Sequence, residues 1–156
     1  MFKEVNLKLA FKKVNPETGF IGKTISKLTK SKYYHIEIII DNLWVSADTP
    51  IGVMISRLEP LRHDHWDYVD LGIKKLPQEQ YDTIMEFIYK QEGKKYDYFG
   101  IIFSHLFPFT LHSKNKLFCS EIVAMILQFF LEARVLGLQP NTLSPKDLAR
   151  LYGLKD

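Results

Sequence analysis

The chain holds a single cysteine, Cys119, so no disulfide can form within it, and its thiol content gives no sign of an oxidising compartment. Long apolar runs are missing as well. The two longest, 122–131 and 99–111, are interrupted by Gln128 and by Ser104, His105 and Pro108. Neither reaches the roughly 20 residues that a membrane span needs. The opening "MFKEVNLKLAFKK" alternates apolar and charged residues and lacks the unbroken apolar stretch of a signal peptide, so a cytoplasmic protein is expected. Internal repeats, low-complexity tracts and Pro/Gly/Ser linkers are absent, and residues 1–156 read as one domain, long enough to bury a core. No Gly-rich phosphate loop occurs: in "TGFIGKT", Gly19 and Gly22 stand too close for a Walker pattern.

Aromatic residues are plentiful, with 11 Phe, 8 Tyr and 2 Trp. They fall in apolar patterns and do not interleave with lysines as a base-stacking platform would, so no nucleic-acid partner is expected. The net charge of +3 is unevenly spread: residues 1–32 carry eight Lys against Glu4 and Glu17, which makes that stretch +6 and the remainder −3. Lys23, Lys27 and Lys30 share one helical face. That face is either simply solvated or a patch for phosphates or the headgroups of an anionic membrane.

"VNLKLAFKK" alternates as a half-buried strand does. "NPETGFIGKTISKLTK" predicts a short helix with Asn15 as cap, Pro16 in the first turn, and Ile21, Ile25 and Leu28 on one side. "YYHIEIII" and "LWVSA" flank Asp41-Asn42 and predict a hairpin; "VMISRLE" and "WDYVDLGI" predict further strands. Pro77 opens a helix ended by Gly93, "YDYFGIIFSHLF" predicts a buried helix, the Cys119 helix follows, and Ser144 caps a last helix stopped by Gly153. Strands thus precede helices, an α+β domain with a mainly antiparallel sheet packed against helices.

Cys119 opens "CSEIVAMILQFF" after the polar, basic "HSKNK", which places it at a helix N-terminus. Unpaired N–H groups there favour a thiolate, and backbone groups at Cys119 and Ser120 can receive an oxyanion. The same spacing puts Cys119, Val123, Ile126 and Phe130 on one stripe, which equally suits a thiol used only for packing. A base is needed to decide. Of His35, His63, His65, His105 and His112, His35 is the informative one, because strand alternation places His35, Glu37 and Ile39 on one face and Tyr34, Ile36, Ile38 and Ile40 on the other. A carboxylate beside an imidazole fixes its tautomer and stabilises its charged form. A two-residue turn at Asp41-Asn42 would pair residue 40 with 43, setting Glu37 opposite Ser46 and His35 opposite Asp48. Glu37 and Asp48 are then both candidate orienters, with Glu37 preferred. "RHDHWD" offers His63, Asp64, His65 and Asp67, which read as a polar loop and not as a metal site, and no cofactor is expected.

Taken in order, "YYHIEIII", "LWVSADTPIGV", "GKKYDYFG" and "LFCSEIVA" resemble the circularly permuted, NlpC-like members of the papain-fold cysteine hydrolases, the YiiX-like group related to lecithin:retinol acyltransferase. The resemblance runs from about Tyr33 to Met125, with "FCSEIV" its most specific part. It implies a permuted papain-like fold, Cys119 as nucleophile and His35 as general base, with a peptide, amide or lipid-like acyl substrate. The family often carries a Glu where this chain has Ser46, so the third role falls to Glu37, Ser46 or Asp48, with Glu37 preferred. Tyr96 falls where the family has a tyrosine near the site, in support of oxyanion or substrate. A reading of a different class remains: a non-enzymatic binding module of the same fold, engaging an anionic partner through its Lys-rich N-terminal region.

Overall fold

Asp41 and Asn42 turn the chain between β2 (Tyr33–Ile40) and β3 (Leu43–Asp48), and Ile40 pairs with Leu43 in the register that a two-residue turn dictates. Asp41 adopts φ 55°, a left-handed conformation that its short polar side chain tolerates. Its carboxylate accepts from the Asn6 N–H at 2.9 Å, and its own N–H donates to the Asn6 carbonyl at 2.8 Å, which ties the hairpin to β1 (Phe2–Lys13). The structure is a computed structural model and describes residues 1–48, 52–94 and 119–156.

With β4 (Gly52–Ser56) and β5 (Trp66–Pro77), these strands form a five-stranded antiparallel sheet of order β4-β3-β2-β1-β5. Among the described residues there are four α-helices: α1 (Phe20–Thr29), α2 (Gln78–Gln91), α3 (Cys119–Phe129) and α4 (Pro145–Leu151). The fold is therefore mixed α/β, with α1 interposed between the first two strands.

Alternation decides which side of the sheet is covered. Val5, Leu7, Leu9 and Phe11 of β1 join Ile36, Ile38 and Ile40 of β2 in the main core, together with Ile84 and Ile88 of α2 and Leu148 of α4. The centre of that core is α3, which is apolar almost all round, as a fully buried helix must be. Its Ile122, Val123, Ile126 and Leu127 have no exposed surface. Burying a side chain of this size stabilises by roughly 1.5–3 kcal/mol. The opposite face of the sheet carries a smaller cluster of Ala10, Ile39, Trp44 and Trp66.

Two bulges shape the sheet. Lys12 pairs with His35 but Lys13 with Tyr33, so Tyr34 is an extra residue on β2. The expected alternation therefore breaks at Tyr34: Tyr33 enters the main core, and its hydroxyl donates to Asp67 at 2.6 Å. Tyr34 instead meets α1, where a Cβ on Gly22 would come within 2.8 Å of its ring, so the helix approaches this closely only with glycine there. On β5, Leu71 is the extra residue before Gly72, whose φ of 74° suits glycine.

The helix expected from Asn15 starts later, at Phe20 with Gly19 as its cap. The Asn15 side chain is engaged in a local turn, accepting from the Glu17 N–H at 2.9 Å, which competes with helix formation. β5 also runs further than expected, to Pro77, because Phe2–Asn6 supply it with partners. α4 begins as the sequence indicates: Ser144 and Asp147 form a capping box, and Gly153 follows the helix at φ 82°.

Candidate functional site

β2 and β3 pair only from Ile38↔Val45 to Ile40↔Leu43, whereas β3 stays paired with β4 from Trp44 to Asp48. Past Ile38 the two strands have no ladder between them, and α3 packs against both. Cys119, the first residue of α3, is 1% exposed, and His35 on β2 is 6% exposed. The Cys119 thiol lies close enough to the His35 ring to raise the ring's affinity for a proton. The His35 Nε2 meets Glu37 Oε1 at 3.1 Å, and the Glu37 side chain keeps 17% exposure. The bulge at Tyr34 lies immediately before this histidine, a position where an extra residue re-aims the neighbouring side chain.

Burial alone would depress the imidazole's affinity for a proton. The hydrogen bonds to Cys119 and Glu37, and the negative charge of both partners, outweigh that penalty, and the His35 pKa rises well above its ordinary value. A buried imidazole between a thiol and a carboxylate can hold a proton that it shares with the sulfur. The sulfur is also core: Cys119 belongs to the main cluster with Val123, Ile126 and Phe130. Packing and pairing with His35 are thus both true of this thiol.

Of the third-residue candidates, Glu37 is the one at the ring. Ser46 is buried and lines a cavity with Glu37, but the β2–β3 ladder ends at Ile38↔Val45, so the expected pairings of Glu37 with Ser46 and of His35 with Asp48 do not form. Asp48 is exposed at the end of β3 and pairs with Gly52. Ser120 is buried in the first turn of α3 beside Glu121. Tyr96, His105, His112 and the segment "YDYFGIIFSHLF" lie outside the described residues.

The residues of "RHDHWD" separate into local pairs. Asp64 accepts from Arg62 at 3.1 Å, the His63 Nδ1 lies 2.6 Å from the Tyr68 hydroxyl, and Asp67 is held by Lys13 and Tyr33. Among the described residues no group of three His, Cys, Asp or Glu is placed to hold a metal ion. Among them, too, no helix is long and apolar enough to cross a membrane.

What sequence reasoning missed is the aromatic wall around the pair. Lys12 and Trp66 lie in the same cross-strand row as His35, and the Trp66 ring stands edge-on to the imidazole at 6.1 Å. Trp44 meets Trp66 at 6.0 Å and 77° above the small side chain of Ala10. The available signal was Ile39 and Trp44, apolar residues on the strand face that also carries His35 and Glu37. No family model matches this chain, and no curated protein matches it.

Proposed function

We propose that this chain is a cysteine hydrolase or acyltransferase of the permuted, NlpC-like papain-fold type, acting on an amide or ester. The observation that carries the reading is one buried imidazole, His35, whose Nε2 meets Glu37 at 3.1 Å and whose proton affinity the neighbouring Cys119 raises.

In this mechanism the proton of Cys119 passes to His35, giving a thiolate and an imidazolium that Glu37 stabilises. The head of α3 favours the thiolate too, because the first N–H groups of a helix have no acceptor within it. The sulfur attacks the carbonyl carbon, a C–S bond forms, and the carbonyl electron pair moves onto oxygen. Backbone N–H groups at the start of α3 receive that oxyanion in this reading. As the intermediate collapses, the C–N or C–O bond breaks and the leaving group takes the proton of His35. Water or another acceptor then gives its proton to His35, attacks the acyl carbon and releases the thiolate.

A panel of small thioesters, esters and amides tests this reading. The wild-type protein hydrolyses at least one of them, Cys119→Ser abolishes the reaction, and rapid quench traps an acyl group on Cys119. Turnover that survives Cys119→Ser would overturn the assignment.

The alternative, a non-enzymatic module, has one observation in its favour: Lys23 and Lys27 of α1 and the adjoining Lys30 are all exposed. It requires salt-sensitive binding to an anionic partner that survives Cys119→Ser and fails when the three lysines are neutralised.

A further inference from the structure

On the sheet face away from α3, a cavity of about 140 Å³ opens between the indoles of Trp44 and Trp66. Glu37, Ser46 and Ser56 give it a polar side, and Leu58 and Pro60 form part of its rim. Cys119 and His35 do not line it. An occupant would therefore touch the catalytic pair only indirectly, through Glu37, which is hydrogen-bonded to His35, and through Trp66, whose ring stands against it.

We propose that this cavity binds the alkylammonium group of a small ligand separate from the substrate, and that the ligand regulates Cys119 by drawing on Glu37. A carboxylate that shares a cavity with two indole rings is complementary to a cation, because the ring faces carry negative potential. Glu37 offers its Oε1 to His35 at 3.1 Å, and its side chain also lines the cavity, where it presents a carboxylate to an occupant. Trp66 already attracts one cation on this face: the Lys12 ammonium lies 5.4 Å from its ring centre. Lys12 makes no ion pair with Glu37, whose charged partner among the described residues is His35. The volume is close to that of a cavity known to accept a six-carbon ring, so a trimethylammonium or butylammonium group fits and a larger peptide segment does not.

The regulatory effect rests on the proposed function, whereas the binding does not. In the thiolate–imidazolium form, Cys119, His35 and Glu37 together carry one negative charge, which an ammonium ion balances. The ammonium competes with His35 for the same carboxylate, lowers the proton affinity of the ring and reduces the thiolate population.

The chain's two tryptophans both line this cavity, so intrinsic fluorescence reads its occupancy without a label. Choline chloride, titrated into the full chain at constant ionic strength, is expected to give a saturable change. The neutral isostere 3,3-dimethyl-1-butanol binds roughly tenfold or more weakly, as loss of a charge-assisted contact requires. Glu37→Gln weakens choline to a similar degree. Met54→Lys, which places a tethered ammonium at the cavity and leaves Glu37 intact, abolishes choline binding. Cys119→Ser retains it, so failure of the catalytic reading and failure of this site are distinguishable. At saturating choline, alkylation of Cys119 by iodoacetamide slows severalfold in the wild-type protein and is unchanged in Met54→Lys. Equal binding of choline and its neutral isostere, or no saturable fluorescence change, would overturn the site. An unchanged alkylation rate at saturation would overturn the regulatory role.

Discussion

Replacing Glu37 by Gln removes one charge from the pair and leaves a side chain of nearly the same size. The amide oxygen can still accept from His35 Nε2, so packing is preserved and electrostatics change. A hydrogen bond to a charged partner contributes roughly 1.5–3 kcal/mol, and each pKa unit corresponds to about 1.4 kcal/mol. The His35 pKa should therefore fall. The change is read by following the His35 ring resonances against pH in a Cys119→Ser background, with and without Glu37→Gln, so that the thiol does not titrate in the same window. In the cysteine-containing protein the same substitution should slow alkylation of Cys119 near neutral pH by roughly tenfold or more. If the His35 titration is the same in both backgrounds, Glu37 does not stabilise the imidazolium and the three-residue account fails.

Two further outcomes follow from the fold and from linkage. Ile126→Ala, which empties space at the centre of the main core, should cost about 2–5 kcal/mol in a urea titration, while Ile73→Ala on the exposed edge should change stability little. Equal losses would mean that α3 is not the core helix. His35 has a raised pKa in the folded state, so its contribution to stability is fully present below about pH 6.5, its ordinary range, and is lost as pH rises through the folded value. The difference in unfolding free energy between wild type and His35→Gln should shrink with rising pH; a difference that grows with pH would reverse the sign and contradict the raised pKa.

The parts of the site legible in the sequence are those governed by local rules. Asp41-Asn42 between two β-branched runs set the hairpin and its 40–43 register, and period-two alternation put His35 and Glu37 on one face. Ser144 and Gly153 marked the ends of α4 for the same kind of reason. What depended on distant partners was not legible. The contact between Cys119 and His35 forms because α3 packs across β2 and β3, and no spacing in the chain encodes that. β1 looked like a half-buried strand, yet both its faces are covered at Leu9–Phe11: Leu9 and Phe11 lie in the main core, and Ala10 lies in the Trp44–Trp66 cluster on the other face. The bulge at Tyr34 is set by pairing with Lys12 and Lys13, and it reverses the faces of Tyr33 and Tyr34. At Asn15 a local rule misled, because a side chain that can cap a helix can also close a turn, and here it closes the turn.

The pH profile of Cys119 alkylation by iodoacetamide, measured side by side in wild type and His35→Ala, bears on the pairing of sulfur and imidazole without any substrate in hand. The pairing predicts a wild-type rate that stays high well below the ordinary thiol pKa of about 8.5, and a His35→Ala rate that falls away like that of a free thiol. Identical profiles in the two proteins, both following an ordinary thiol, would contradict it.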